Sequence, residues 1–220
     1  MLLRHDVDLS PEAAYQMSVL EKSLGVRATY FIMLRSPAYN LFSRSNSDFI
    51  QGIIQNGHEI GLHYDQGLDH KRRFSNSITN KNILKEARIL EKMFELDVTS
   101  MSFHQPSEAV LAGEIDTTPL LNSYGDELNK NFTYISDSNM TLDWSALDDL
   151  MKPKLSNGLV YKEDSKLNLQ LLVHPVWWIM PGKHIFEKWN NAIIQNFQNE
   201  QKQFIETERA YGPQRQIKLL

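Results

Sequence analysis

Ala28-Thr29-Tyr30-Phe31-Ile32-Met33-Leu34 is short, almost wholly apolar, and rich in aromatic and branched side chains. Such a run fits a strand buried on both faces, the signature of a parallel sheet covered by helices. The flanking sequence repeats the theme. Upstream, Ser10 can cap a helix that takes Pro11 in its first turn, carries Ala13, Met17, Leu20 and Leu24 as an apolar stripe, and can end at Gly25. Before that helix, Leu3-Arg4-His5-Asp6-Val7-Asp8 is an apolar start running into a histidine and two carboxylates one residue apart. Downstream, residues 47–55 read as a short helix, Gly57 to Tyr64 as a strand ending in His63, and Ile83, Leu84, Ala87, Leu90 and Phe94 as an amphipathic helix. Thr99 to His104 is the next strand, so the order is β-α-β-α-β-α-β.

The region from Ser107 to Asn131 is less regular, with a helical stretch near Glu108 to Ala112, a break at Thr118-Pro119 and a helix near Tyr124 to Leu128. Phe132 to Ser136 reads as a strand delivering Asp137. Asp143-Trp144 and a polar loop lead to Leu159-Val160-Tyr161, and Leu167 to Val173 is the last strong strand, delivering His174 and Pro175. A long closing helix follows with Phe186, Trp189, Ile193 and Phe197 on one side. No repeat or linker divides the chain. One α/β domain over residues 1–209, a parallel barrel or open sheet, is therefore expected, with residues 210–220 as a tail.

The composition narrows the function. The 220 residues are 41% hydrophobic and 23% charged, and no apolar run approaches the ~20 residues that a membrane-spanning helix requires. A net charge of −4 with scattered basic residues gives no footprint for nucleic acid. There is no cysteine, so any metal must sit among imidazoles and carboxylates. No basic and apolar leader precedes the first strand, which points to a cytoplasmic location.

In parallel α/β folds, ligands gather at the carboxyl ends of the strands. That rule draws Asp6 and Asp8, His63 with Asp65, His104, Asp137 and His174 into one candidate site, because each closes a strand in this reading. Alternate residues of a strand share a face, so Asp6 and Asp8 leave the first strand side by side. One can bind a metal while the other accepts a proton. His58 and His184 fall outside the cluster.

In this order and spacing, RHDVD, GHEIGLHYD, SFHQP, YISDSN with LDW, and LQLLVHPVWW resemble the motifs of the polysaccharide deacetylase superfamily. These carbohydrate esterases include the nodulation-type chitooligosaccharide deacetylases, and the motifs are similar to those of a bacterial subgroup with His-Asp-x-Asp first and His-Pro-x-Trp last. The resemblance spans Arg4 to Trp178. It implies a distorted (β/α) barrel of about seven parallel strands, smaller than the ~250-residue eightfold barrel. It also implies metal-dependent removal of an N-acetyl or O-acetyl group from a sugar, with N-acetyl the favoured linkage.

Position by position, the resemblance makes Asp6 the general base, Asp8 the metal-binding aspartate, His63 the first metal-binding histidine and His174 the general acid, with Asp137 orienting that acid. Trp144, Trp177 and Trp178 would line a sugar groove, where flat rings suit pyranose faces; Trp144 reads equally well as barrel core. Two positions depart from the pattern. The second motif normally places another histidine four residues after the first, where Gly67 stands. Asp65, sharing an extended face with His63, is then the expected third ligand, with His70 and His104 as substitutes. The third motif normally supplies an arginine beside the base, where SFHQP offers His104 at the substrate.

A divalent metal both acidifies water and polarises an acyl oxygen. Asp6 would accept the water's proton, His174 would donate to the leaving amine, and a backbone N–H near Tyr64 would complete the oxyanion site. Imidazole and carboxylate ligands suit zinc, although cobalt, nickel, iron and manganese also fit such a set. The expected substrate is a nucleotide-linked or lipid-linked precursor of a bacterial surface glycan. Hydrolysis of a non-sugar amide such as a ureide is an alternative, as is a sugar-binding barrel without catalysis. Asp6, Asp8 and His174 together argue against the latter.

Overall fold

The computed structural model describes residues 1–68, 76–142, 145, 154–156, 159–161 and 168–208. In chain order the strands are β1 (Leu2–Val7), β2 (Thr29–Ile32), β3 (Glu59–Asp65), β4 (Ser100–His104), β5 (Leu121–Asn122), β6 (Thr133–Ser136), β7 (Lys154–Ser156), β8 (Leu159–Tyr161) and β9 (Leu169–Val173). The helices are α1 (Pro11–Ser23), α2 (Arg44–Gln55), α3 (Asn76–Phe94), α4 (Glu108–Leu111), α5 (Asp126–Asn129), α6 (Pro175–Ile179) and α7 (Ile185–Thr207). Seven strands make one sheet in the order β5-β4-β3-β2-β1-β9-β6, curled into a distorted half-barrel with every pairing parallel. β7 and β8 pair antiparallel apart from it.

The main apolar core lies between the sheet and its helices, where Ile32, Leu62, Leu90 and Phe103 are fully buried. Each such side chain contributes roughly 1.5–3 kcal/mol relative to exposure. Alternation along β1 sends His5 and Val7 toward this layer and Arg4 and Asp6 into the curl. At Gly61 a Cβ would collide with the Phe31 ring, so glycine there gives that ring its place inside the barrel.

Two helices present a different face from the one their apolar residues suggest. Ser10 caps α1 by accepting from the N–H of Ala13, as expected, but Leu20 and Leu24 are largely exposed while Ser18 and Glu21 are buried. Glu21 accepts from the Tyr30 hydroxyl at 2.6 Å and lies 2.6 Å from His5 Nε2, whose Nδ1–H donates to the Val173 carbonyl at 3.0 Å. This polar lock sets the rotation of α1 and ties β1 to β2 and β9. Burial works to raise the Glu21 pKa, but the hydrogen bond and charge of His5 hold it below the ordinary glutamate value. In α7 the buried residues are Lys188, Ala192 and Asn196, whereas Phe186, Trp189, Ile193 and Phe197 stay substantially exposed.

Candidate active site

The carboxyl ends of β1, β3, β4 and β9 open into one cleft of about 460 Å³, whose lining includes Asp6, Asp8, His63, His104, His174 and Trp177. His63 Nε2 lies 2.9 Å from Asp8 Oδ1, and His104 Nδ1 lies 3.4 Å from the same oxygen. Ligand atoms of Asp8, His63 and His104 all fall within 4.8 Å of one another, and this is the group of metal-ligating type found among the described residues. The Nδ1–H of His63 donates to the Ser102 carbonyl at 3.3 Å, which turns Nε2 toward the Asp8 carboxylate. Both ring nitrogens thus face oxygen atoms, with Nε2 and Asp8 Oδ1 in one cluster. Two imidazole nitrogens and one carboxylate, with one imidazole anchored by a backbone carbonyl, fit a first-row divalent ion.

The electrostatics follow from this packing. Burial opposes ionisation of Asp8, yet hydrogen bonds from His104 and His63 and the nearby His174 hold its pKa well below the usual carboxylate range. Burial would lower the His104 pKa, but the Asp8 hydrogen bond and charge raise it. His174 is raised in the same way, burial being outweighed by the Asp137 hydrogen bond and the Asp8 and Asp6 charges.

Asp137, at the end of β6, holds His174 by a double contact. It accepts from His174 Nδ1–H at 2.6 Å and from the His174 backbone N–H at 3.0 Å. Its second oxygen also accepts the indole N–H of Trp178 at 2.7 Å. The imidazole is thereby fixed with Nε2 toward the cleft, 3.9 Å from Asp8 Oδ2. Asp6 is almost fully buried: its Oδ2 accepts from Ser102 Oγ at 3.1 Å, and its Oδ1 has no hydrogen-bond partner among the described residues.

Other expectations land elsewhere. Asp65 is not in the ligand group: Gly67 donates its backbone N–H to Asp65 Oδ1 at 2.8 Å, drawing the carboxylate into the turn after β3. His104 is in that group and also lines the cleft. The Tyr64 side chain is fully buried and packs edge-on against Phe103, leaving only its backbone for a role in the cleft. Trp177 does wall the cleft, stacked on Trp189 with ring centroids 6.2 Å apart, while Trp178 braces Asp137 instead. His58 is structural, its Nδ1 accepting from the Ala28 N–H at 3.2 Å. His70, Trp144 and the tail lie outside the described residues.

Sequence reading missed Trp189 and Ile193 as part of the cleft wall, and Gln105 and Asn139 beside it. The last two have positive φ, 49° and 57°, which non-glycine residues seldom adopt. Strained backbone of this kind collects at functional sites but leaves no sequence signal at a glutamine.

No protein-family model and no curated protein matches the sequence. Solved structures match its fold. A chitin deacetylase from the fungal pathogen Colletotrichum lindemuthianum is similar with a TM-score of 0.50 and 15% identity, over 89% of this chain and 81% of that one. A family 4 acetyl xylan esterase from Clostridium thermocellum in complex with a cobalt ion gives 0.47 and 14%, over 93% and 90%. A mutant of a CE4 family pseudoenzyme from Bacillus anthracis, with restored enzymatic activity, gives 0.46 and 16% over 91% of this chain, which spans 62% of that protein's length. Seven parallel strands curled into a distorted barrel, with a cleft at their carboxyl ends, are the fold that this chain shares with the chitin deacetylase.

Proposed function

We propose that the chain is a metal-dependent hydrolase that removes an acetyl group from a sugar, with N-acetyl as the linkage. The observation that carries this reading is the cleft itself. An aspartate with a free oxygen, a carboxylate–bis-imidazole cluster and a braced imidazole share one wall at the strand ends. Asp8, His63 and His104 would hold the metal, zinc being the ion best suited to this donor set. When bound, such an ion supplies Lewis acidity toward an acyl oxygen and acidifies water.

The protein's own groups divide the remaining work. Asp6 accepts the proton of the attacking water at Oδ1, the oxygen without a hydrogen bond. His174, kept protonated by Asp137, donates from Nε2 to the leaving nitrogen. Trp177 offers an apolar face to a pyranose ring, and its stacking on Trp189 keeps that face in place. Among the described residues no helix is long and apolar enough to cross a membrane. A cytoplasmic enzyme acting on a nucleotide-linked or lipid-linked glycan precursor fits the small site.

The test is acetate release by metal-loaded protein from nucleotide-linked and lipid-linked N-acetylhexosamines, chitin oligomers and acetylated xylan. Release from the first two is expected. Preference for the polymers would overturn the substrate, and no release from any of them would overturn the reaction.

A further inference from the structure

Asp6 has a neighbour that the reaction scheme leaves unused. Arg4 precedes it by two residues on β1, so both side chains enter the curl of the sheet. The arginine is 3% exposed, and its Nη2 lies 3.8 Å from Asp6 Oδ2. Among the described residues none of its three side-chain nitrogens makes a hydrogen bond of good geometry, the Tyr124 hydroxyl being the polar group that interacts with the guanidinium and Asp6 its carboxylate partner. Aromatic rings wall the guanidinium instead: its central carbon stands 4.7 Å from the Tyr124 ring centroid, 5.6 Å from Tyr134 and 5.9 Å from Phe31.

A structural arginine buried this deeply would ordinarily be wired to backbone carbonyls, because an unpaired buried cation costs folding stability. Here the ring faces, with the Tyr124 hydroxyl, locate the charge and leave Asp6 as its carboxylate neighbour. The same barrel interior contains the Phe31 ring, for which Gly61 makes room. Ser102 Oγ donates to Asp6 Oδ2, the oxygen that faces Arg4 and lies 3.9 Å from His63 Nε2, so all three neighbours act on one side of the carboxylate. The other oxygen has no hydrogen-bond partner among the described residues.

On the reading of Asp6 as the base, we propose that Arg4, held in its aromatic box, is the positioning residue that fixes the Asp6 carboxylate with Oδ1 free for the incoming water. Arg4 touches no reacting atom in this scheme. Its effect passes through the orientation and charge of Asp6, so turnover should respond far more than substrate affinity.

Arg4→Met and Arg4→Lys, compared with wild type at equal metal content, test this. Arg4→Met is expected to lose ~100-fold in kcat, the scale of a catalytic group held out of place. Its KM should stay within about threefold, since ground-state contacts are untouched. Wild-type kcat in Arg4→Met would overturn the proposal. Where Arg4→Met does not fold, Arg4→Lys carries the test: it keeps the charge without the planar fork, and at least ~10-fold loss of kcat at unchanged KM is expected. Wild-type kcat in Arg4→Lys would overturn it.

A second arm needs no turnover. Melting temperatures of Arg4→Met, Asp6→Asn and the double variant should form a coupled cycle, the double variant falling by less than the sum of the singles, because either group alone is a buried unpaired charge. Strict additivity would overturn the pairing. If wild type releases no acetate while the cycle is coupled, the function falls and the Arg4–Asp6 pair stands.

Discussion

His63 Nε2 lies 2.9 Å from Asp8 Oδ1, although 55 positions separate the two residues and β2 stands between their strands in the sheet. The curl of the sheet makes this reach possible, since it turns the ends of β1 and β3 toward a common centre. β4, beside β3, adds His104, whose Nδ1 lies 3.4 Å from the same carboxylate oxygen.

The ligand set is therefore testable by deletion. Zinc should raise the melting temperature of the wild-type protein, by an amount equivalent to ~2.7 kcal/mol at a free concentration one hundred times Kd. His104→Ala should lose most of that rise. Asp65→Ala should keep it, since Asp65 is engaged by the Gly67 N–H. The reverse ranking would restore Asp65 as the third ligand.

A second prediction concerns the brace on the acid. Asp137 receives the His174 imidazole N–H, the His174 backbone N–H and the Trp178 indole. Asp137→Asn keeps the shape but removes a carboxylate whose hydrogen bond and charge raise the His174 pKa, and on the proposed role of His174 kcat should fall by ~100-fold or more. Trp178→Phe removes one hydrogen bond and leaves the carboxylate in place, so its loss should be nearer ~10-fold. Equal effects on kcat would show that the indole, not the carboxylate charge, governs the imidazole.

Strand ends were the legible part of this sequence. An apolar run followed by Asp or His marks both where a strand stops and which end of the sheet it serves, and this placed Asp6, Asp8, His63, Asp137 and His174 together. The third member of the Asp8–His63 cluster was harder to read. Sharing a face with His63 was sound geometry for Asp65, but a two-residue Asp–Gly turn captured its carboxylate. His104 depended on β4 lying beside β3, a pairing that local pattern does not encode. Helix faces failed where polar burial overrode apolar periodicity: Glu21 turned α1 inward to meet His5 and Tyr30, leaving Leu20 and Leu24 outside. β5, two residues long, had too little sequence to show a period.

Glu21 carries a pH dependence of stability. Its folded pKa is depressed from the ordinary 4.5, so the unfolded chain binds the proton more readily. The stabilisation is then fully present above that value and is lost as pH falls through the folded pKa. Glu21→Gln should lower the melting temperature at neutral pH and flatten its decline below about pH 4.5. A wild-type acid limb in Glu21→Gln would place the sensitivity on another carboxylate.

The last prediction separates the two sides of α7. Asn196 sits on the buried side and donates from Nδ2 to the carbonyls of Leu9, at 2.6 Å, and Ala38, at 2.9 Å. Those carbonyls belong to the loops after β1 and β2, so one amide ties the closing helix to the segments bordering the cleft. Lys188, about two turns toward the start of the helix, closes the same side by donating from Nζ to the Met180 carbonyl at 2.6 Å. Asn196→Ala leaves two carbonyls without this donor and should destabilise by roughly 2 kcal/mol. Phe197, the next residue, is 58% exposed, and Phe197→Ser should change stability by no more than about 0.5 kcal/mol. Urea unfolding of the two variants measures the difference. A larger loss in Phe197→Ser than in Asn196→Ala would mean that α7 packs through its apolar side in solution, and that the wall made by Trp189 and Ile193 is turned from where the structure has it.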